Sequence, residues 1–229
     1  MRFVWVVIFL LAGCNADVFH SDGYQFLGIK YSDSPLGEEI IPDTDPLIRF
    51  DAFDCTTFVE TVLANGNVYT LNKIRYQNGN ISFLDRNHFI ESDWLQNNSD
   101  KVENVSKKYG KTDFRIVTID KQQWLKTVHH IDAIFAPKTV HLEYIPYNNI
   151  DKIQNKNTLI VLFVTDNPVF RDKIGTDLAV VHMGLLLPGG ILRHASSVHK
   201  KVIDVDFYEY INQQKSNKNN IGITLVAIK

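Results

Sequence analysis

Apolar and polar positions divide the chain into an irregular N-terminal stretch, one well-marked early helix and a strand-rich C-terminal third. Residues 54–64 (DCTTFVETVLA) set Phe58, Val62 and Leu63 at the spacing of a helix core face, with Gly66 as a stop, and predict a helix. Residues 71–76 form a short helical or extended piece, and Gln77-Asn78-Gly79-Asn80 has the composition of a turn. A strand is predicted over 114–119 and a helix from about 121 to 130. The run 158–164 (TLIVLFV) is almost wholly aliphatic and β-branched, the pattern of a strand covered on both faces. Further on, 178–187 predicts a strand, Pro188-Gly189-Gly190 a turn and 191–195 its return. A short helix over 206–213 and a last strand over 221–228 follow, separated by a polar loop at 215–220. Residues 15–50 scatter Gly23, Gly28, Pro35, Gly37, Pro42 and Pro46 among Tyr24, Phe26, Leu27 and Tyr31, as expected of a segment that wraps a domain. One helix early and antiparallel strands late give the α+β class with segregated layers.

The first residues change this picture. Met1-Arg2 supplies a positive charge, 3–12 is an unbroken apolar run, and Leu11-Ala12-Gly13-Cys14 closes it with small residues before a cysteine. These are the parts of a secretory signal, and the run is too short for a membrane span, which takes about 20 residues. It resembles the bacterial lipobox, which implies diacylation of Cys14, the lipid chains replacing the removed signal as a membrane anchor. An ordinary signal peptide cleaved near Gly13 is the plainer alternative. Asn15 rather than Asp follows Cys14, so the enterobacterial signal for inner-membrane retention is missing. The expected location is the cell envelope, facing the periplasm, on the outer membrane rather than the inner. The expected organisation is a signal over 1–14, a tether over 15–23 and a single domain over 24–229.

Composition then narrows the function. A net charge of −2, with no long basic run, excludes a phosphate-backbone ligand, so no nucleic-acid partner is expected. With Cys14 lipidated, Cys55 is the only thiol left, and no intramolecular disulfide can form. In an oxidising compartment a lone thiol is a liability unless it is buried or used.

Cys55 opens the predicted helix directly after Asp54, where unpaired N–H groups favour an anion, and the short Thr56 and Thr57 leave the sulfur approachable. Free cysteine is also among the most buried residue types, so a packing role competes with a nucleophilic one. His182 lies in the apolar strand run VVHMGL, and His194 lies twelve residues later on the predicted return strand. Across the intervening turn the two histidines fall roughly opposite, close enough for one ring to orient the other, which is the logic of a nucleophilic triad. A hydrogen-bonded core histidine is the competing reading for His182. One cysteine and two histidines could also begin a zinc site, but no fourth ligand has suitable spacing, so neither metal nor cofactor is expected.

Three blocks, FDCTTFVE at 53–60, HMGLL at 182–186 and LRHASS at 192–197, resemble those of NlpC-type cell-wall cysteine peptidases. The resemblance implies a papain-like fold, with the helix that bears the nucleophile packed on a C-terminal antiparallel sheet. It implies Cys55 as nucleophile, His182 as base and then acid, and His194 as the orienting third member. A narrower likeness is to the muropeptide-amidase branch of that family, long catalogued as a domain of unknown function. It rests on DCTTFVE itself, on Gly28-Ile29-Lys30-Tyr31, and on the insert running from Ile74 through Arg86-Asn87-His88-Phe89 to Asp93-Trp94. That branch implies hydrolysis of the amide between N-acetylmuramic acid and L-alanine in muropeptides, anhydro forms included.

The insert has a physical reading beside this. Arg86 could clamp a carboxylate of the stem peptide, while Trp94 and Phe89 could stack on a sugar face. Tyr31 and Asp54 could meet polar groups beside the scissile bond, and Thr56 and His88 complete the substrate-binding set. Core packing for Trp94 and Phe89, and an ion pair for Arg86, compete with these roles. His129, His130 and His141 read as surface or helix-end residues. Rival activities on the same nucleophile are γ-D-glutamyl-diamino acid cleavage and papain-like acyl transfer; a muropeptide-binding lipoprotein without catalysis is a third.

Overall fold

A computed structural model describes residues 21–35 and 37–229, so Cys14, the signal segment and most of the tether lie outside the described residues. Two short strands, β1 (Lys30–Tyr31) and β2 (Ala52–Phe53), bracket the proline-rich wrap. Helices α1 (Cys55–Leu63) and α2 (Val68–Arg75) follow, and a π-helical turn, Ile90–Trp94, runs into the single turn α3 (Leu95–Asn97). Next come β3 (Val102–Asn104), β4 (Asp113–Ile119), α4 (Lys121–His129) and β5 (Lys138–Pro146). The last third holds β6 (Leu159–Thr165), α5 (Val169–Ile174), β7 (Val180–Leu187), β8 (Ile191–Ser196), β9 (Lys201–Asp206), α6 (Phe207–Gln214) and β10 (Asn220–Ile228).

The strands join in the order β2-β1-β9-β8-β7-β6-β10-β5-β4, with β3 added along β10. Among the described residues the one parallel pairing is β1 with β2. The fold is therefore α+β around a mostly antiparallel sheet. Its centre is β6, whose residues alternate between two cores. Ile160, Leu162 and Val164 join Phe58, Val59 and Val62 of α1 on one face, and Val161 and Phe163 join Phe207 and Ile211 of α6 on the other. Burial on both faces is why this strand reads as an uninterrupted apolar run.

Helix α1 starts where it does because Asp54 caps it. The Asp54 carboxylate accepts from the Thr57 N–H at 2.7 Å while the Asp54 N–H donates to the Thr57 hydroxyl at 3.0 Å, a reciprocal capping box. Strands β5 and β9 have no counterpart in the sequence reading. Each has one face largely open, with polar residues at alternate positions (KTVHLEYIP and KVIDVD), so neither shows the apolar run that marks β6.

Candidate active site

Cys55 is the first residue of α1 and is partly buried, and its sulfur lies 3.9 Å from the Thr56 hydroxyl. Burial pushes its thiol up to about 12, and the neighbouring Asp54 charge adds to this; the Met183 N–H and the Thr56 hydroxyl work the other way without reversing it. The helix terminus, which favours an anion, is outweighed here by burial. At neutral pH the thiol keeps its proton, and activation falls to a base.

The candidate base, His182, is placed by β7. The register between β6 and β7 shifts between the Phe163–His182 and Val164–Val180 pairs, leaving Val181 as a bulge directly before His182. Bulges gather beside active sites because they re-aim a side chain without ending the strand. The His182 ring stacks on Phe163 at 5.5 Å, and its Nε2 lies 2.7 Å from His194 Nδ1. The pairing of Leu185 with Arg193 sets Gly184, not His182, directly across from His194. His182 is the diagonal neighbour, and a Cβ at position 184 would come within 2.9 Å of the His194 Cβ. Glycine there leaves the His194 ring room to reach across. Burial, then the neighbouring His194, lowers His182 to about 3, and burial, then His199, lowers His194 to about 4. Both rings are neutral at pH 7. One proton sits between the two facing nitrogens; when His182 Nε2 carries it, His182 Nδ1 is left with a free lone pair.

Cys55, Thr56, His88, Phe170, Leu178 and His182 line a cleft of about 330 Å³. On the other side of His182 a groove of about 440 Å³ runs between the β8–β9 turn and α6, past His194 and Tyr210. Tyr210 lies edge-on to His194 at 5.1 Å, and burial with the nearby Cys55 raises its phenol to about 12. Sequence reasoning missed it, because a tyrosine on a short amphipathic helix carries no positional signal.

The predicted substrate residues divide. Tyr31 is half-buried on β1 beside the nucleophile, and its phenol is raised to about 12 by burial, with Cys55 and Asp54 adding to the effect. His88 lines the cleft; its Nε2 donates to the Phe83 carbonyl at 2.7 Å, and burial, then Lys121, keeps the ring neutral. Asp54 is occupied as the helix cap. Two expectations are overturned. Arg86 is 4% exposed and paired at 3.1 Å with the buried Glu38, so its guanidinium is committed inside the fold. Trp94 is 0% exposed and Phe89 is also buried, so neither offers a ring face to a sugar. The partly exposed tryptophan near the cleft is Trp124 of α4, 4.6 Å from the His88 ring. Among the described residues no group of three His, Cys, Asp or Glu side chains converges to hold a metal.

Comparison with known proteins agrees with this geometry. No curated protein sequence matches the chain. Of the solved structures, a Legionella pneumophila protein of family DUF1460 is similar at 25% identity, over 93% of this chain and 88% of its own, with a TM-score of 0.81. An N-acetylmuramoyl-L-alanine amidase from Bacteroides uniformis is similar at 25% identity, over 93% of this chain and 98% of its own, with a TM-score of 0.69. A Bacteroides fragilis protein named as a candidate xylanase is similar at 25% identity, over 90% and 99%, with a TM-score of 0.68. One fold under such different names leaves the substrate to be argued from the site. Membership is decided by the family model, which matches residues 22–222: the chain is an enzyme of the N-acetylmuramoyl-L-alanine amidase-like family.

Proposed function

We propose that the protein hydrolyses the amide between N-acetylmuramic acid and L-alanine in muropeptides, anhydro-muropeptides included, by papain-like Cys–His–His chemistry. The observation that carries this reading is the 2.7 Å His182–His194 hydrogen bond at the wall of a cleft that also holds Cys55 at a helix N-terminus. His182 Nδ1 takes the thiol proton as the sulfur bonds to the lactyl carbonyl carbon, and the oxyanion gathers on backbone N–H groups at the start of α1. The C–N bond then breaks as His182 returns the proton to the alanine nitrogen. Water, deprotonated by His182, releases the acid from the thioester and restores the thiol. Neutral partners suit this sequence, because the imidazole must begin as a proton acceptor.

Incubation with GlcNAc-anhydroMurNAc-tetrapeptide, beside Cys55→Ala, tests the bond and the nucleophile together. Wild type should release free tetrapeptide at least about 10⁴-fold faster than the variant, as expected for loss of a nucleophile. Cleavage inside the peptide would move the bond to the γ-D-glutamyl-diamino acid linkage. No cleavage of anhydro or reduced muropeptides would sink the cell-wall reading.

We also propose that Cys14 bears lipid and tethers the domain at the outer membrane, facing the periplasm. Its support is the small-residue boundary before that cysteine. Metabolic palmitate labelling should mark the wild type and leave Cys14→Ala unlabelled and released; equal labelling of both would overturn it.

A further inference from the structure

Glu91 is a buried carboxylic acid that the chemistry above does not use. It lies in the π-helical turn Ile90–Trp94, is 4% exposed, and its Oε1 accepts the Ala179 N–H at 2.6 Å. The Val180 N–H reinforces this contact, while Oε2 has no hydrogen-bond partner among the described residues. The two ends of this contact belong to opposite walls of the Cys55 cleft. His88 and Ile90 flank Glu91 on one wall, and Leu178 and Val180 flank Ala179 on the other. Directly after Val180 come the Val181 bulge and His182. A π-turn is uncommon and recurs at functional sites, since its extra residue re-aims the side chains around it.

We propose that Glu91 is a positioning residue for the catalytic base: its carboxylate ties the π-turn to the start of β7 and so holds His182 in place across from Cys55. This rests on the amidase reading. An ionised carboxylate accepts both strand N–H groups. In the acid form the proton would sit on the unpartnered Oε2, leaving Oε1 to accept the Ala179 N–H as a neutral oxygen, about half as strongly as a carboxylate does. Protonation therefore loosens the tie.

Burial, opposed by the Ala179 and Val180 N–H groups, raises Glu91 to about 7. Its charged surroundings are few. In its own turn Asp93 is held by Lys138 at 3.0 Å and lies 3.8 Å from Lys121. From β5, Lys138, His141 and Glu143 line the same groove as Glu91. On the β7 side, residues 178–181 carry no charge and lie between Asp177, which Arg171 holds at 2.7 Å, and His182. Burial holds the Cys55 thiol up near 12 and His182 down near 3, so neither supplies an acid limb near pH 7, and the loss of such a limb in Glu91→Gln is what assigns it to Glu91.

The test follows muropeptide cleavage and the Ala179 amide resonance together between pH 5 and 8, in wild type and in Glu91→Gln. In wild type, kcat/KM should fall about fivefold or more from pH 8 to pH 6, and the Ala179 amide should move with the same midpoint. In Glu91→Gln both changes should be absent, with the acid-side kcat/KM no longer dropping. An unchanged acid limb in Glu91→Gln, or an Ala179 amide in wild type that does not titrate, would overturn the proposal. If wild type cleaves no muropeptide, the amidase reading falls by itself, and the Ala179 titration alone decides whether Glu91 ties the two walls.

Discussion

Two clusters of buried polar side chains lie near the Cys55 cleft, and they meet the cost of burial in opposite ways. On the strand side, the half-buried His182 and the buried His194 are neutral rings that share one proton at 2.7 Å. Beneath α1, the charges are kept and paired: Arg75 Nε with Glu60 at 3.0 Å, and Arg86 Nη1 with Glu38 at 3.1 Å. Glu38 also accepts the Tyr76 hydroxyl at 2.9 Å, and Arg75 donates to the Leu47 carbonyl at 2.9 Å. A neutral ring retains a donor or acceptor that can be turned to chemistry. A buried charge is bound to its partner, because releasing it would leave the other uncompensated in a poor solvent for ions. The difference separates machinery from scaffold better than residue type does, since arginine and histidine are both familiar active-site residues.

The widest way to test that division is through Arg86. Were it a substrate clamp, Arg86→Ala would raise KM and leave the fold intact. As a buried partner of Glu38 it should instead lower unfolding free energy by about 3–5 kcal/mol, the cost of stranding a buried charge. Urea denaturation measures this directly. A stable Arg86→Ala protein with a changed KM alone would return the residue to the substrate site. The loss should extend beyond the pair, because the carboxylates of Glu60 and Glu38 together offset the burial of the guanidinium.

What was legible in the sequence follows the same line. Cys55, His182 and His194 could be singled out because each carries a local signal: a capped helix start, and two histidines spaced around a Gly-Gly turn. The hairpin estimate was off by one diagonal step, and Gly184 supplies the space that makes the diagonal work. The His182–His194 contact therefore survived an approximate register. Arg86 and Trp94 were misread because their neighbours are distant in sequence. Glu38 lies 48 residues from Arg86, and nothing near position 86 announces it. The π-turn and the Val181 bulge were invisible for a related reason. Each is an irregularity in a ladder, defined by what the partner segment does rather than by its own side chains.

The smaller effects concern His194. In His194→Ala the His182 ring loses the partner that fixes its tautomer, and kcat should fall about a hundredfold with KM little changed. The same residue should also appear in acid stability. Its folded value, about 4, lies below the ordinary histidine value of 6.5, because burial disfavours the charged ring. A depressed base is neutral in both states above pH 6.5, so it costs nothing there. Between pH 6.5 and 4 the unfolded chain binds a proton that the folded chain refuses, and stability is lost as pH falls, by up to about 1.4 kcal/mol per pH unit from this one ring. Glu91 and Asp54 pull the other way, since burial raises both acids and their protonation favours the fold as pH drops. The wild-type curve alone therefore mixes signs, and the slope difference between wild type and His194→Asn isolates the imidazole. Asparagine keeps a hydrogen-bonding partner for His182 but cannot titrate, so its stability should decline less steeply below pH 6.5 while the two proteins converge above it. Parallel curves would mean that His194 is charged inside the fold, and the contrast between neutral machinery and charged scaffold would fail at its central residue.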